Sequence, residues 1–177
     1  AQTPSVKIEE YISSLPPSII SGEAVQLLDD TIREIFKFVE LGKNDVFYHL
    51  GCGTGNSLAI AAKEFDAKAV GIDNDKTKIS LAEQEKNPKI ILKCEDIVNS
   101  DLIDATVILF WFSDETVVEK MFAKFSALKH GCKIITIFDP LPGTIPNKVS
   151  FPYLLHQTPF QPAKNLKDQM LSIFETE

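Results

Sequence analysis

The stretch Val46-Phe47-Tyr48-His49-Leu50-Gly51-Cys52-Gly53-Thr54-Gly55 decides how this chain is read. Its first five residues are β-prone and largely apolar, and glycines follow at once, so they read as a short buried strand running into a tight turn. Three of the eight glycines sit in this one turn. Glycine is needed where backbone bends sharply and lies against a ligand with no Cβ in the way. Ser57 to Phe65 then reads as a helix with Leu58, Ala61, Ala62 and Phe65 inward. A strand, a glycine turn and a helix N-terminus bring backbone N–H groups to one point, a good environment for a carboxylate or phosphate. The dinucleotide-binding fingerprint needs a third glycine where Asn56 stands, and a P-loop needs Gly-Lys-Ser/Thr, which is absent. The turn therefore belongs to neither class.

Working outward, Ala69 to Asp73 is a second strand, ending in an acid 22 residues after Gly51. A carboxylate at that place can accept both hydroxyls of a ribose. Lys76 to Lys86 is a charged amphipathic helix stopped by Asn87-Pro88, and Ile90 to Lys93 a third strand followed by Cys94-Glu95-Asp96-Ile97. Asp96 is placed to accept a hydrogen bond from an exocyclic amine. Ala105 to Trp111 is the most apolar segment and reads as a central strand buried on both faces. Val118, Met121, Phe122, Phe125 and Leu128 stripe a helix ended by His130-Gly131, and Lys133 to Phe138 is a fifth strand. Upstream, Pro16-Pro17 marks an extended entry. Ser21 is a candidate N-cap, with Glu23 in the first turn, for a helix carrying Val25, Leu28, Ile32, Ile35, Phe36 and Val39 and closed by Gly42. Strands alternating with helices imply right-handed βαβ units and a parallel sheet, whose carboxyl-end crevice would collect Asp73, Asp96 and the glycine turn.

After Phe138 six of the ten prolines fall between Pro140 and Pro162, which excludes a long helix there. Tyr153 to Gln157 and Gln169 to Phe174 read as two further strands, an antiparallel hairpin. The 177 residues make one domain's worth of chain, divided into an extended segment 1–20, a core 21–138 and a proline-rich tail 139–177.

Composition sets the outer limits. Apolar residues make up 44% and charged residues 24%, an ordinary globular balance. The longest uncharged apolar run, Ala105 to Ser113, is nine residues, too short to span a bilayer. Eighteen Lys+Arg against 25 Asp+Glu give a net charge of −7, which argues against a grip on nucleic-acid backbone and suits a basic partner. Cys52, Cys94 and Cys132 have no CxxC spacing, so a disulfide framework or a zinc site is not expected. The first fifteen residues lack a contiguous apolar stretch, and a cytoplasmic protein is expected.

Gly51-Cys52-Gly53-Thr54-Gly55, Gly71-Ile72-Asp73 and Glu95-Asp96-Ile97 together resemble the first three motifs of the class I S-adenosylmethionine-dependent methyltransferases. The resemblance implies a Rossmann-like α/β sheet, mostly parallel, with a C-terminal antiparallel β-hairpin and helices on both faces. It also implies S-adenosylmethionine as cofactor, held by Ser21, His49, Gly51, Cys52, Gly53, Thr54, Gly55, Asn56, Asp73, Asn74, Asp96 and Ile97. No metal enters this reading.

The acceptor side is carried by Leu109-Phe110-Trp111-Phe112-Ser113-Asp114. The Asn/Asp-Pro-Pro-Tyr/Phe turn of amino-methylating enzymes acting on bases or glutamine is absent from it. Cys94 and Cys132 read as small buried residues rather than nucleophiles. Ser18-Ile19-Ile20-Ser21-Gly22-Glu23, Asp104 to Phe110 and Leu128 to Ile135 are similar in order and spacing to the seven-stranded protein-lysine methyltransferases, which include small archaeal enzymes. That resemblance implies a lysine-rich or basic protein substrate; the short apolar runs and the net charge lead to the expectation of no membrane and no nucleic-acid partner. The family often has a polar pair where Trp111 and Phe112 stand, a departure, but an aromatic slot that desolvates a lysine lowers its pKa, and Trp111, Phe112 and Tyr153 are the candidate walls. The alternatives are a small-molecule or RNA methyltransferase, or a non-catalytic cofactor-binding subunit. His49 stands where that class usually has an acid supporting the cofactor's ammonium, which implies weaker affinity or compensation by Glu23 or Asp45.

Overall fold

A computed structural model describes residues 27–174. In chain order it contains α1 (Asp29–Phe38), β1 (Val46–Leu50), α2 (Asn56–Glu64), β2 (Lys68–Asp73), α3 (Lys76–Ala82), β3 (Ile90–Cys94), β4 (Val107–Phe110), α4 (Glu115–Ser126) and β5 (Lys133–Ile137). The short strands β6 (Thr144–Ile145), β7 (Lys148–Ser150), β8 (Tyr153–Gln157) and β9 (Gln161–Pro162) follow, and then α5 (Leu166–Phe174). Seven strands form one sheet in the order β3-β2-β1-β4-β5-β8-β7, while β6 and β9 pair separately. The first five strands are parallel, with His49 level with Gly71 on one side and with Leu109 on the other. β8 runs antiparallel to β5, and β7 antiparallel to β8. This is the mostly parallel, Rossmann-like sheet with a terminal antiparallel hairpin that the resemblance implied.

Strand alternation divides the sheet's side chains between two cores. Phe47, Val107, Leu109 and Ile135 face α1, α2 and α3 and pack with Ile32, Ile35, Phe36, Leu58 and Ile79. Tyr48, Leu50, Ile72, Ile108, Phe110 and Ile134 face α4 and pack with Met121 and Phe125. All four residues of β4 are buried, as expected for the most apolar segment placed mid-sheet. Phe36 meets Phe47 edge to face at 4.8 Å and Phe65 at 5.3 Å, a geometry worth about 0.5–1.5 kcal/mol per pair beyond the area buried.

Two expectations need correction. The first helix does not run unbroken through Leu28, which is extended (φ −64°, ψ 147°) and serves as N-cap. Asp29 and Asp30 then occupy the first turn, where the helix dipole favours acids. Ser21, Glu23 and Val25 lie outside the described residues. The helix also closes on Glu40 rather than Gly42: Glu40 takes φ +57°, and Leu41 N–H returns to Phe36 O at 3.0 Å, the bond of a Schellman motif. The second correction concerns the tail. Gln169 to Phe174 is not a strand but the body of α5, whose start is set by Asn165 Oδ1 accepting from Asp168 N–H at 2.8 Å. The hairpin partner of β8 is β7 instead.

Candidate functional site

Beyond β1 the chain is pulled sideways onto β2: the N–H groups of Gly51 and Cys52 both donate to Ile72 O, at 2.7 and 3.1 Å. Gly51 has φ +79°, and a Cβ there would lie 3.1 Å from the Phe112 ring, so its bareness lets an aromatic close over the turn. Gly53, at φ +57°, has nothing within 4 Å of the place a Cβ would occupy. It borders open space, and a side chain there would fill it.

Asp73 holds the loop in shape. Its Oδ2 accepts from Gly53 N–H at 2.9 Å, and Oδ1 accepts from Asp75 N–H at 2.8 Å. Each oxygen keeps a further lone pair for a ligand. Asp75 in turn caps α3 by accepting from Thr77 and Lys78 N–H. Asp96 is exposed, and its Oδ1 caps the 3₁₀ turn Ile97–Asn99 through Val98 N–H at 3.0 Å.

These elements surround one cleft of about 660 Å³ at the carboxyl ends of the parallel strands. Residues 50–54, 73–75, 95–97 and 111–113 line it, with His49, Asn56 and Ser57 on one side and Val117 on another. Of the site residues expected from sequence, His49, Gly51, Cys52, Gly53, Thr54, Asn56, Asp73, Asn74, Asp96, Ile97, Trp111 and Phe112 all border it. Gly55 does not: it is the left-handed N-cap of α2 (φ +86°), and its Cβ position would lie 3.1 Å from Ala82 Cβ. Ser21 lies outside the described residues.

Three readings of single side chains, those of Asp45, Tyr153 and Cys94, are overturned. Asp45 cannot compensate for His49, because it sits at the opposite end of β1, where it accepts from Gly42 N–H and Thr106 Oγ1. Tyr153 is no wall of the cleft: it is 7% exposed, and its hydroxyl donates to Glu34 Oε2 at 3.2 Å. Cys94 is exposed rather than buried, because β3 is the edge strand of the sheet. Trp111 and Phe112 both border the cleft, but strand alternation sends them to opposite faces. Trp111 packs toward α1 with its ring 6.2 Å from Phe138, while Phe112 stacks on Phe110 at 5.0 Å.

Two groups of the cleft, His49 and Cys52, are uncharged near pH 7. Burial pushes the His49 imidazole down to about 4, with the Asp73 charge opposing, so the ring is neutral near pH 7. Burial pushes the Cys52 thiol up to about 12, which removes it as a nucleophile. His49 Nδ1 lies 2.5 Å from Ser57 Oγ. Ser57 and Lys78 line the cleft without having been singled out in the sequence. The one available signal was position, since Ser57 and Lys78 fall in the first turns of the helices that follow the glycine loop and Asp75.

Residues 18–93 match the family model of the histone methylation protein DOT1. A protein-lysine N-methyltransferase of Saccharolobus islandicus is 27% identical over 128 residues, covering 68% of this chain and 79% of the relative. A trans-aconitate 2-methyltransferase of Variovorax paradoxus is 36% identical over 100 residues, but that match covers only 38% of the relative. Among solved structures, an RNA methyltransferase from Salinibacter ruber in complex with S-adenosyl-L-homocysteine superposes with a TM-score of 0.70 at 18% identity, over 80% of this chain and 99% of that one. Sheet order, cleft and relatives agree: the chain has the fold of the class I, S-adenosylmethionine-dependent methyltransferases, and the relatives it resembles in sequence are methyltransferases.

Proposed function

We propose that this cleft binds S-adenosylmethionine and that the chain methylates the side-chain amine of lysine in a basic protein substrate. The cofactor's fit to the cleft rests on three features. The open face of Gly53 leaves room for backbone to lie against the amino-acid end, Asp73 has lone pairs left for a ribose diol, and Asp96 stands exposed beside the buried Ile97 as acceptor for an adenine amine. When bound, S-adenosylmethionine supplies a methyl group on a sulfonium sulfur. The protein's share is then largely in-line positioning, worth roughly 7–11 kcal/mol.

The observation that carries the lysine reading is the half-buried pair Trp111 and Phe112, bordering the cleft where β4 ends. A lysine near its ordinary pKa of about 10.4 needs about 4–5 kcal/mol to become neutral at pH 7. An aromatic wall that excludes water lowers this demand by disfavouring the charged form, and it attracts the cation on approach. His49 is a poor base at a pKa near 4, so deprotonation by desolvation, not by an adjacent imidazole, is the route this site supports. The relative from Saccharolobus islandicus, a protein-lysine enzyme, favours the same acceptor. A second reading, RNA, is favoured by the Salinibacter ruber likeness, which spans nearly that whole chain, and opposed by the net charge of −7.

Radiolabelled cofactor incubated with the protein and with poly-lysine, histones or bulk RNA separates the readings. Label is expected in the lysine polymers, and label in RNA alone would overturn the acceptor assignment. Trp111→Ala should lower kcat/KM for poly-lysine about tenfold, the value of one strong cation–π contact, and leave S-adenosylhomocysteine affinity within about twofold.

A further inference from the structure

Ser57 is 2% exposed, and its hydroxyl lies 2.5 Å from Nδ1 of His49. A buried hydroxyl proton needs an acceptor, and Nδ1 is the one the structure offers. The ring is uncharged near neutral pH and carries a single proton. With Nδ1 accepting from Ser57, that proton sits on Nε2. Nε2 has no hydrogen-bond partner among the described residues, and His49 borders the cleft. The donor edge of the imidazole is therefore the one left for a ligand. We propose that Ser57 fixes His49 as the Nε2–H tautomer and so makes this part of the cleft a donor site for the carboxylate of the cofactor's amino-acid end. This rests on the S-adenosylmethionine reading above.

One feature of the surroundings favours an anion there and one opposes it. Ser57 belongs to the first turn of α2, a nine-residue helix whose positive end carries no acidic side chain of its own. Asp73, the acid whose charge reaches His49, opposes an anion, and its two oxygens are turned to the backbone N–H groups of Gly53 and Asp75. Asp29, whose Oδ1 lies 3.3 Å from Asn56 Nδ2, is exposed and screened by water. In this arrangement Ser57 is a positioning residue and His49 the group that touches the ligand. A residue that presents N–H selects a carboxylate and rejects an ammonium, the reverse of what an acid at position 49 would do.

The tautomer is measured directly by ¹⁵N–¹H correlation of the imidazole in the wild-type protein. Protonated Nε2 is expected, and protonated Nδ1 would overturn the proposal. Calorimetry supplies the second arm with three probes: S-adenosylhomocysteine, its methyl ester, and 5′-deoxy-5′-methylthioadenosine, which lacks the amino-acid end. The wild type should prefer the free acid to the ester by about tenfold, the worth of a hydrogen bond to a charged group. Ser57→Ala should shrink that preference to about twofold or less, as the ring is freed to adopt either tautomer, while methylthioadenosine binds as in the wild type. Equal weakening of all three ligands would show a merely structural role and overturn the proposal. Absence of any S-adenosylhomocysteine binding to the wild type would overturn the cofactor reading itself, an outcome distinct from lost discrimination with binding retained.

Discussion

Asp73 holds two backbone N–H groups at once, and through them it sets the curvature of the loop that Gly51 and Gly53 make possible. The space beside Gly53 is the part of the cleft that a single side chain would block. Gly53→Arg should lower S-adenosylhomocysteine affinity at least about a hundredfold, while straining the left-handed backbone by roughly 1–2 kcal/mol. Calorimetry and thermal unfolding report the two effects separately, and retained binding would contradict the placement of the loop. At this scale the glycines, Asp73 and Asp96 were legible because strand ends and helix starts dictate where such residues fall. Tyr153, Asp45 and Ser57 were not. Each needs a direction in three dimensions: Tyr153 reaches across to Glu34, Asp45 faces the far end of the sheet, and Ser57 meets a histidine one strand back.

α2 lies so close on β2 that a Cβ at Gly71 would fall 2.4 Å from Leu58 Cδ1 and 2.8 Å from Cys52 Sγ. Leu58 is 1% exposed and Cys52 4%, so neither has room to yield. Gly71→Ala should destabilise the fold by about 1–3 kcal/mol through overpacking. A lowered midpoint in denaturant at unchanged slope would show it, and an unchanged midpoint would mean the helix moves freely on the sheet. β1 to β5 were readable because each apolar run is bounded by glycine, proline or acids. The terminal segment was ambiguous: Gln169 to Phe174 is a short apolar run, and only a longer frame reveals Leu166, Met170, Ile173 and Phe174 at helical spacing. β7 was hidden among prolines, in a stretch whose exposed, alternating residues carry little hydrophobic signal.

For the molecule as a whole, two histidines link stability to pH. Burial pushes both His49 and His156 down to about 4 from an ordinary 6.5. His156 is fully buried and accepts from Leu141 N–H at 3.1 Å through Nε2. Above about pH 6.5 both rings are neutral folded or unfolded, and neither affects stability. Below it the unfolded chain binds protons that the folded chain refuses, so stability falls as pH drops from 6.5 toward 4. Each ring contributes on the order of 3 kcal/mol by the bottom of that window. Urea unfolding at pH 7.5, 5.5 and 4.5 should show this decline, and a flat profile between the first two would argue against buried neutral rings.

Leu27 borders the cleft at one end of the described chain, and at the other end a row of rings runs from Phe174 through Phe151 and Phe138 to Trp111. Leu27 thus lines the cleft directly and the last helix is linked to it through these rings, while the sheet between them is closed to insertion by its own packing. Lengthening or shortening the chain at either side would redraw the entrance before it disturbed the strands. Evolutionary change in what this scaffold admits can therefore proceed by editing its margins, with the cofactor cleft inherited intact.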